Sequence, residues 1–253
     1  MIEPALANDA FLADVRAAGD ALWWLGQSGF LLKRNGRFLL VDPYLSDSLT
    51  RKYASTPTPH VRMTRRVVAP ERLDFVDVVL ATHGHTDHLD PETLPHVSGT
   101  LVAPAGIADL ARERSGREPV TLNEGESVEV AGFSIAAVPA RHPGDHCVGY
   151  VVDGRVYHAG DTEPIDPPAR AVDVALVPIN GKLNNLDGAE AARLARAMEA
   201  RVAVPMHFEM FELNTASPDL FVAECERLGQ RQRVLRAGER LDLRAPWPVP
   251  VAA

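Results

Sequence analysis

Thiols are scarce in this chain of 253 residues: Cys147 and Cys225 are its only cysteines, and their different contexts exclude a disulfide framework from the expected fold. Cys225 shares a helical stripe with Phe221 and Leu228 and reads as core; Cys147, on the strand after His142, reads as a small buried side chain. Long apolar runs are missing too. None approaches the ~20 residues that a membrane span requires, and Glu3 and Asp9 stand where a secretory leader would carry basic residues. Positive charge falls short of negative, with a formal net charge of −8. Binding a polyanion is driven by neutralising its phosphates with Lys and Arg, so a broad nucleic-acid surface is excluded. No linker-like or low-complexity stretch interrupts the chain, and 46% apolar residues suffice for a substantial core. Residues 1–253 therefore read as one domain of a cytoplasmic protein without nucleic-acid or membrane partners, a homo-oligomer being left open.

What is present in abundance is histidine in one place. Thr82-His83-Gly84-His85-Thr86-Asp87-His88 puts three of the nine histidines and a carboxylate into six consecutive positions. The run Phe75 to Ala81 before it, β-branched and bounded by polar residues, reads as a buried strand, so the histidines fall at its C-terminal mouth. Two histidines two apart on an extended segment can both turn toward one ion, while Asp87 and His88, past the break at Gly84, can face a neighbouring point. One short loop could serve two metals.

The spacing His-x-His-x-Asp-His resembles the hallmark of the metallo-β-lactamase superfamily of metal-dependent hydrolases. Three further motifs follow in the family's order: Pro139-Ala140-Arg141-His142 after strand-like Phe133 to Val138, Tyr157-His158-Ala159-Gly160-Asp161-Thr162, and Val202-Ala203-Val204-Pro205-Met206-His207. The resemblance implies that His83, His85 and His142 hold a first metal, that Asp87, His88 and His207 hold a second, and that Asp161 bridges them. It implies two divalent cations, zinc or manganese with iron also admitted, because imidazole and carboxylate without thiolate do not select among these. Two such cations can share a hydroxide and neutralise the oxyanion formed as it attacks. Asp87 would then be catalytic, holding its metal and relaying a proton.

An internal echo points to the same fold. Gly29 to Arg37 leads through Phe38–Val41 to Asp42, and Gly149 to Arg155 leads through Val156 to Asp161. Both segments read as hairpins, with Asn35-Gly36 and Asp153-Gly154 as tight turns. Two related halves fit the α/β, four-layer αββα sandwich that the resemblance implies. Asp42 becomes the first-half counterpart of Asp161 and reads either as a carboxylate orienting a ligand histidine or as a turn residue before Pro43. His158 reads as a packing or supporting residue near Asp161. Helices are expected over Asn8 to Gly19, from Asp90-Pro91-Glu92, over Ala189 to Ala200, and from Ser217-Pro218 to Gly229. The tail from Ala245 reads as extended.

A local basic excess runs from Arg51 to Arg72, with six basic residues against Glu71. Folded over the cleft, Arg62, Arg65 and Arg66 would offer guanidinium groups to a small anionic substrate; a solvated loop is the equal alternative. Within the superfamily, Trp23-Trp24-Leu25-Gly26, Leu80-Ala81-Thr82-His83 and Pro205 to Phe211 resemble the branch containing L-ascorbate-6-phosphate lactonase. Asn184, in a polar loop between Asp161 and His207, is a substrate contact or a turn residue on that reading. His146 is a candidate donor of the leaving-group proton, with a surface role as the alternative. Hydrolysis of a small anionic ester or lactone is the function implied, with a phosphodiesterase of the same fold as alternative and a non-catalytic metal-binding module less favoured.

Overall fold

The computed structural model describes residues 1–144 and 146–243; the expected extended tail from Ala245 lies outside them. Six strands follow one another into a first sheet and then six into a second. The first holds β1 (Ala21–Gly26), β2 (Gly29–Arg34), β3 (Arg37–Val41), β4 (Val78–Leu80), β5 (Thr100–Pro104) and β6 (Val120–Leu122). The second holds β7 (Ser127–Val130), β8 (Phe133–Pro139), β9 (Val148–Val152), β10 (Val156–His158), β11 (Val174–Pro178) and β12 (Val202–Met206). The last strand, β13 (Arg240–Asp242), returns to pair with β1. Sheet orders are β13-β1-β2-β3-β4-β5-β6 and β12-β11-β10-β9-β8-β7.

Both sheets are mixed in the same way. β2 and β3 are antiparallel and β3 passes to parallel β4 and β5; β9 and β10 are antiparallel and β10 passes to parallel β11 and β12. The two hairpins read from the sequence are therefore equivalent parts of two halves. Their turns have φ of 50° at Asn35 and 54° at Asp153, each followed by a glycine with positive φ, as the twist of a two-residue hairpin requires. β9, β11 and β12 are wholly buried, as their continuous apolar runs demand, whereas β8 alternates, burying Phe133, Ile135 and Ala137.

Helices cover the outer faces. On the first sheet lies α1 (Asn8–Ala17), which buries Phe11, Leu12 and Val15; Lys33 of β2 closes its C-terminal end by donating to the Val15, Arg16 and Ala18 carbonyls. A short α2 (Ser48–Lys52) follows β3, and α3 (Ala108–Ser115) follows β5. On the second sheet, α4 (Gly188–Ala197) starts with a capping box in which Asp187 and Glu190 satisfy each other's backbone N–H, and it packs against α5 (Asp219–Leu228), closed by Gly229. This is an α/β metallo-β-lactamase fold with two mixed sheets, consistent with the αββα sandwich.

The helix expected from Asp90-Pro91-Glu92 does not form. Residues 91–93 are a turn and Leu94–His96 a single 3-10 turn. Pro95 is the reason: it lacks the N–H that would bond back to Pro91 and its ring would clash there. Asp90 is buried and accepts instead from Ser48 Oγ (2.8 Å), Thr93 Oγ1 (2.6 Å) and Glu92 N (3.2 Å), so the loop is anchored by a carboxylate.

Candidate metal centre

β4, buried between β3 and β5, ends at Leu80 and delivers Thr82 to His88 at the sheet's edge. Asp42, at the end of β3, is fully buried and accepts from Thr82 N (2.8 Å), Thr82 Oγ1 (2.6 Å) and His88 Nδ1 (2.7 Å). With Nδ1 engaged as donor, His88 turns Nε2 toward Asp161 Oδ1 at 3.4 Å and Asp87 Oδ2 at 3.7 Å. A tight turn in which His88 N and Leu89 N both donate to His85 O sets the loop's course. Arg114 of α3 clamps both its ends, donating from Nη1 to Gly84 O (2.9 Å) and Leu89 O (3.0 Å).

The second half brings the remaining groups to the same place. Gly160 has φ of 62°, and a Cβ there would lie 2.9 Å from Thr82 Cβ, so glycine lets the Asp161 loop close onto the residue before His83. Val148 N donates to Thr82 O at 3.0 Å across the same junction. His142 follows β8 and His207 follows β12.

The structure gathers the seven sequence candidates into two groups, one of His83, His85, His142 and Asp161 and the other of Asp87, His88 and His207, with ligand atoms in each within 4.8 Å of one another. Asp161 reaches both: its Oδ2 lies 3.7 Å from His142 Nε2 and 3.2 Å from His207 Nε2. Asp42 lies against His88 Nδ1, where the first of its two alternatives would put it. His158 falls in neither group; its Nε2 lies 2.8 Å from Ser28 O, and its Nδ1 accepts from Gly160 N at 3.1 Å.

Electrostatics divide the histidines. Burial pushes His83 well below the ordinary imidazole range, lowers His85, and takes His142 down to about 4. Burial opposes charge on His88 and His207 as well, but the carboxylates outweigh it and raise both, Asp161, Asp42 and Asp87 around His88, Asp161 and Asp87 around His207. Burial likewise opposes ionisation of Asp87 and Asp161, yet His88 and His207 hold both below the usual carboxylate range. Neutral imidazoles beside ionised carboxylates are the forms that bind a cation; His83, His85 and His142 are held neutral, whereas His88 and His207, raised by their carboxylates, would release a proton as a cation binds. His88 Nε2, His142 Nδ1 and Asp161 Oδ1 are buried without a hydrogen-bond partner. Orphaned polar atoms in an imidazole–carboxylate set fit divalent metal.

Of the two alternatives for the basic segment, the placement of Arg62, Arg65 and Arg66 disfavours the substrate contact. Arg62 lies over the Tyr44 ring (5.0 Å) and donates to Asp47 Oδ1 (2.7 Å), Thr64 O (3.1 Å) and Ser46 O, so its guanidinium braces the loop. Arg65 pairs with Glu3 at 3.3 Å, and Arg66 donates to Leu45 O at 3.1 Å and lines a separate hollow shared with Asp47, Glu71 and Glu92. None of the three lines the cavity over the metal groups. That cavity, about 200 Å³, is lined by His85, Asp87, His142 and Asp161 together with Lys52, His60 and Arg114. Asn184 lines a neighbouring hollow of about 600 Å³ that His142 and His146 also border.

Sequence reasoning passed over Lys52, Arg114 and Gln27. Lys52 lay within the noted basic segment. Arg114 sits among the charges of an ordinary helix. Gln27 stands in a turn between Gly26 and Gly29, where a polar residue is unremarked, yet its Nε2 donates to Asp87 Oδ2 at 2.8 Å.

Two helix-flanked mixed sheets with a histidine–aspartate centre at their strand ends define a metal-dependent hydrolase of the metallo-β-lactamase class. The family model described as beta-lactamase superfamily domain matches residues 21–207. A UPF0173 metal-dependent hydrolase of Methanopyrus kandleri is 33% identical over 232 residues, covering 81% of this chain and 91% of the relative. The chain belongs to the β-lactamase superfamily and, within it, to the UPF0173 metal-dependent hydrolase family. Among solved structures, Igni18, a metallo hydrolase from Ignicoccus hospitalis, is 26% identical with a TM-score of 0.68, covering 88% of this chain and 97% of that one. An isothiocyanate hydrolase from Delia radicum gut bacteria shares the fold, with a TM-score of 0.69 at 18% identity over 87% of this chain and 98% of that one.

Proposed function

We propose that the protein is a dinuclear hydrolase of a small anionic ester or lactone. The observation that carries the reading is the place of Asp161, whose carboxylate lies within 3.7 Å of His142 in one group and of His88 and His207 in the other. His83, His85 and His142 would hold one cation, Asp87, His88 and His207 the other, and Asp161 both; zinc or manganese suits these donors, with iron also admitted. When bound, divalent cations lower the pKa of water and neutralise the charge that develops on the substrate oxygen.

The chain's own residues do the rest. Asp87, ionised and lining the cavity, accepts the proton of the attacking water. Lys52 at the mouth has no ion pair among the described residues, lies 5.3 Å over the Tyr53 ring, and meets an anionic group on the substrate. Arg114 adds positive charge from the opposite element while holding the ligand loop. The likeness of the sequence motifs to the L-ascorbate-6-phosphate lactonase branch supports a lactone or ester carbonyl as the electrophile.

Purified protein loaded with zinc or manganese and offered matched panels of phosphorylated lactones, carboxylate esters and phosphodiesters tests this. Turnover of a lactone or ester, abolished by a chelator, is expected. Turnover confined to phosphodiesters would replace the reading with a phosphodiesterase.

A further inference from the structure

Gln27 joins two parts of the metal centre that lie far apart in the chain, Asp87 and His207. It is fully buried in the turn between β1 and β2, with φ of 52°. Its backbone carbonyl accepts from Trp24 Nε1 (2.9 Å) and from His207 N (3.0 Å). Its side-chain Nε2 donates to Asp87 Oδ2 (2.8 Å) and lies 3.1 Å from His207 Nε2. The other end of the amide, Oε1, is buried with no hydrogen-bond partner. An orphaned buried acceptor is destabilising, so stability alone does not account for a glutamine here.

We propose that Gln27 is a positioning residue for the cation group of Asp87, His88 and His207, fixing the Asp87 carboxylate through its amide while its carbonyl fixes the backbone of His207. The inference rests on the reading of these residues as metal ligands. A neutral donor suits this role, because it orients the carboxylate without placing a second positive charge beside the cation, as Lys or Arg would. None of the hydrogen bonds of Gln27 among the described residues goes to His83, His85 or His142, and their group should be indifferent to it.

Two substitutions separate this role from a role in the turn. Gln27→Met keeps the side chain's length and removes the donor. Gln27→Asn keeps an amide and suits a positive φ better than glutamine does, but draws the donor back by about 1.5 Å. Cobalt(II) titrated into chelator-treated full-length protein, followed by visible absorption, reads both affinity and ligand geometry. Both variants should bind the cation of the Asp87 group about ten- to a hundredfold more weakly, and the spectral component disturbed should be the one missing in His207→Ala, with the component missing in His142→Ala unchanged. If both variants bind cobalt as the wild type does, with the same spectrum, the proposal is overturned, whatever their melting temperatures; should the Met variant fail to fold, the Asn variant decides alone. A wild type that binds one cobalt, weakened in both variants, contradicts the two-cation reading and sustains the role of Gln27. One cobalt indifferent to both variants ends both.

Discussion

Asp42 Oδ2 lies 2.7 Å from His88 Nδ1, and both side chains are fully buried. The contact joins the end of β3 to the end of the histidine loop, and it fixes which ring nitrogen of His88 faces Asp87 and Asp161. Asp42→Ala leaves the Thr82 N–H, the Thr82 hydroxyl and His88 Nδ1–H without their acceptor. Each stranded donor costs about 1–3 kcal/mol, so the melting temperature should fall clearly, and metal affinity should drop about ten- to a hundredfold as His88 loses its orientation. Calorimetric unfolding and metal titration check the two effects; unchanged affinity would contradict the orienting role.

Asp87 and Asp161 should respond differently. Asp87 lies in the loop that lines the cavity, so Asp87→Ala should abolish turnover with the fold intact by circular dichroism. Asp161→Ala removes the carboxylate common to both groups, and both metal content and activity should be lost. Elemental analysis beside a turnover assay distinguishes them. Wild-type activity in Asp87→Ala, with metal retained, is the outcome its assignment does not survive.

The cation for the substrate should be Lys52. A charge-assisted contact to an anion contributes about 1.5–3 kcal/mol, so Lys52→Met should lower kcat/KM for an anionic substrate roughly ten- to a hundredfold and spare an uncharged analogue. Neutralising Arg65 and Arg66 together should leave kinetics near wild type, and Arg62→Ala should show itself as lost stability, since Arg62 braces Asp47, Thr64 and Tyr44. Comparison of the two substrates across these variants decides the matter; equal losses on both for Lys52→Met would remove it from the substrate's path.

Alkali should destabilise the protein through its buried phenols and thiol. Burial pushes the Tyr44 hydroxyl and the Cys225 thiol up to about 12, and raises Tyr150 and Tyr157 too. In the unfolded chain these groups ionise near their ordinary values of 10.0 and 9.0. Between those values and about 12 the folded state keeps protons that the unfolded state has released, so stability is fully present below pH 9.0 and is lost as pH rises toward about 12. Denaturant melts at a pH of about 8 and of about 11, at one ionic strength, should show the midpoint falling. A midpoint that holds or rises would contradict the burial of these groups.

The candidate ligands stood out in the sequence because a metal needs particular side chains at the ends of particular strands, and strands with their terminal residues are local features of sequence. His83 to His88 after β4, Asp161 after β10 and His207 after β12 are all of this kind, and so are the two hairpin turns. What the sequence left unread depends on side-chain reach across the fold. Arg62, three positions from Arg65, was indistinguishable in sequence from a substrate contact, and only packing against Tyr44 and Asp47 assigns it to the loop. Gln27 and Arg114 reach Asp87 and Leu89 from 60 and 25 residues away, separations at which no pattern of spacing speaks. The helix read from Asp90 failed on a local rule, since Pro95 stands one turn inside it.

The central claim is that two cations share Asp161. Elemental analysis of the protein purified without chelator and saturated with manganese or zinc measures it most directly. Two divalent ions per chain are expected in the wild type, with Asp161→Ala losing both; a saturated wild type that holds a single ion would contradict the claim.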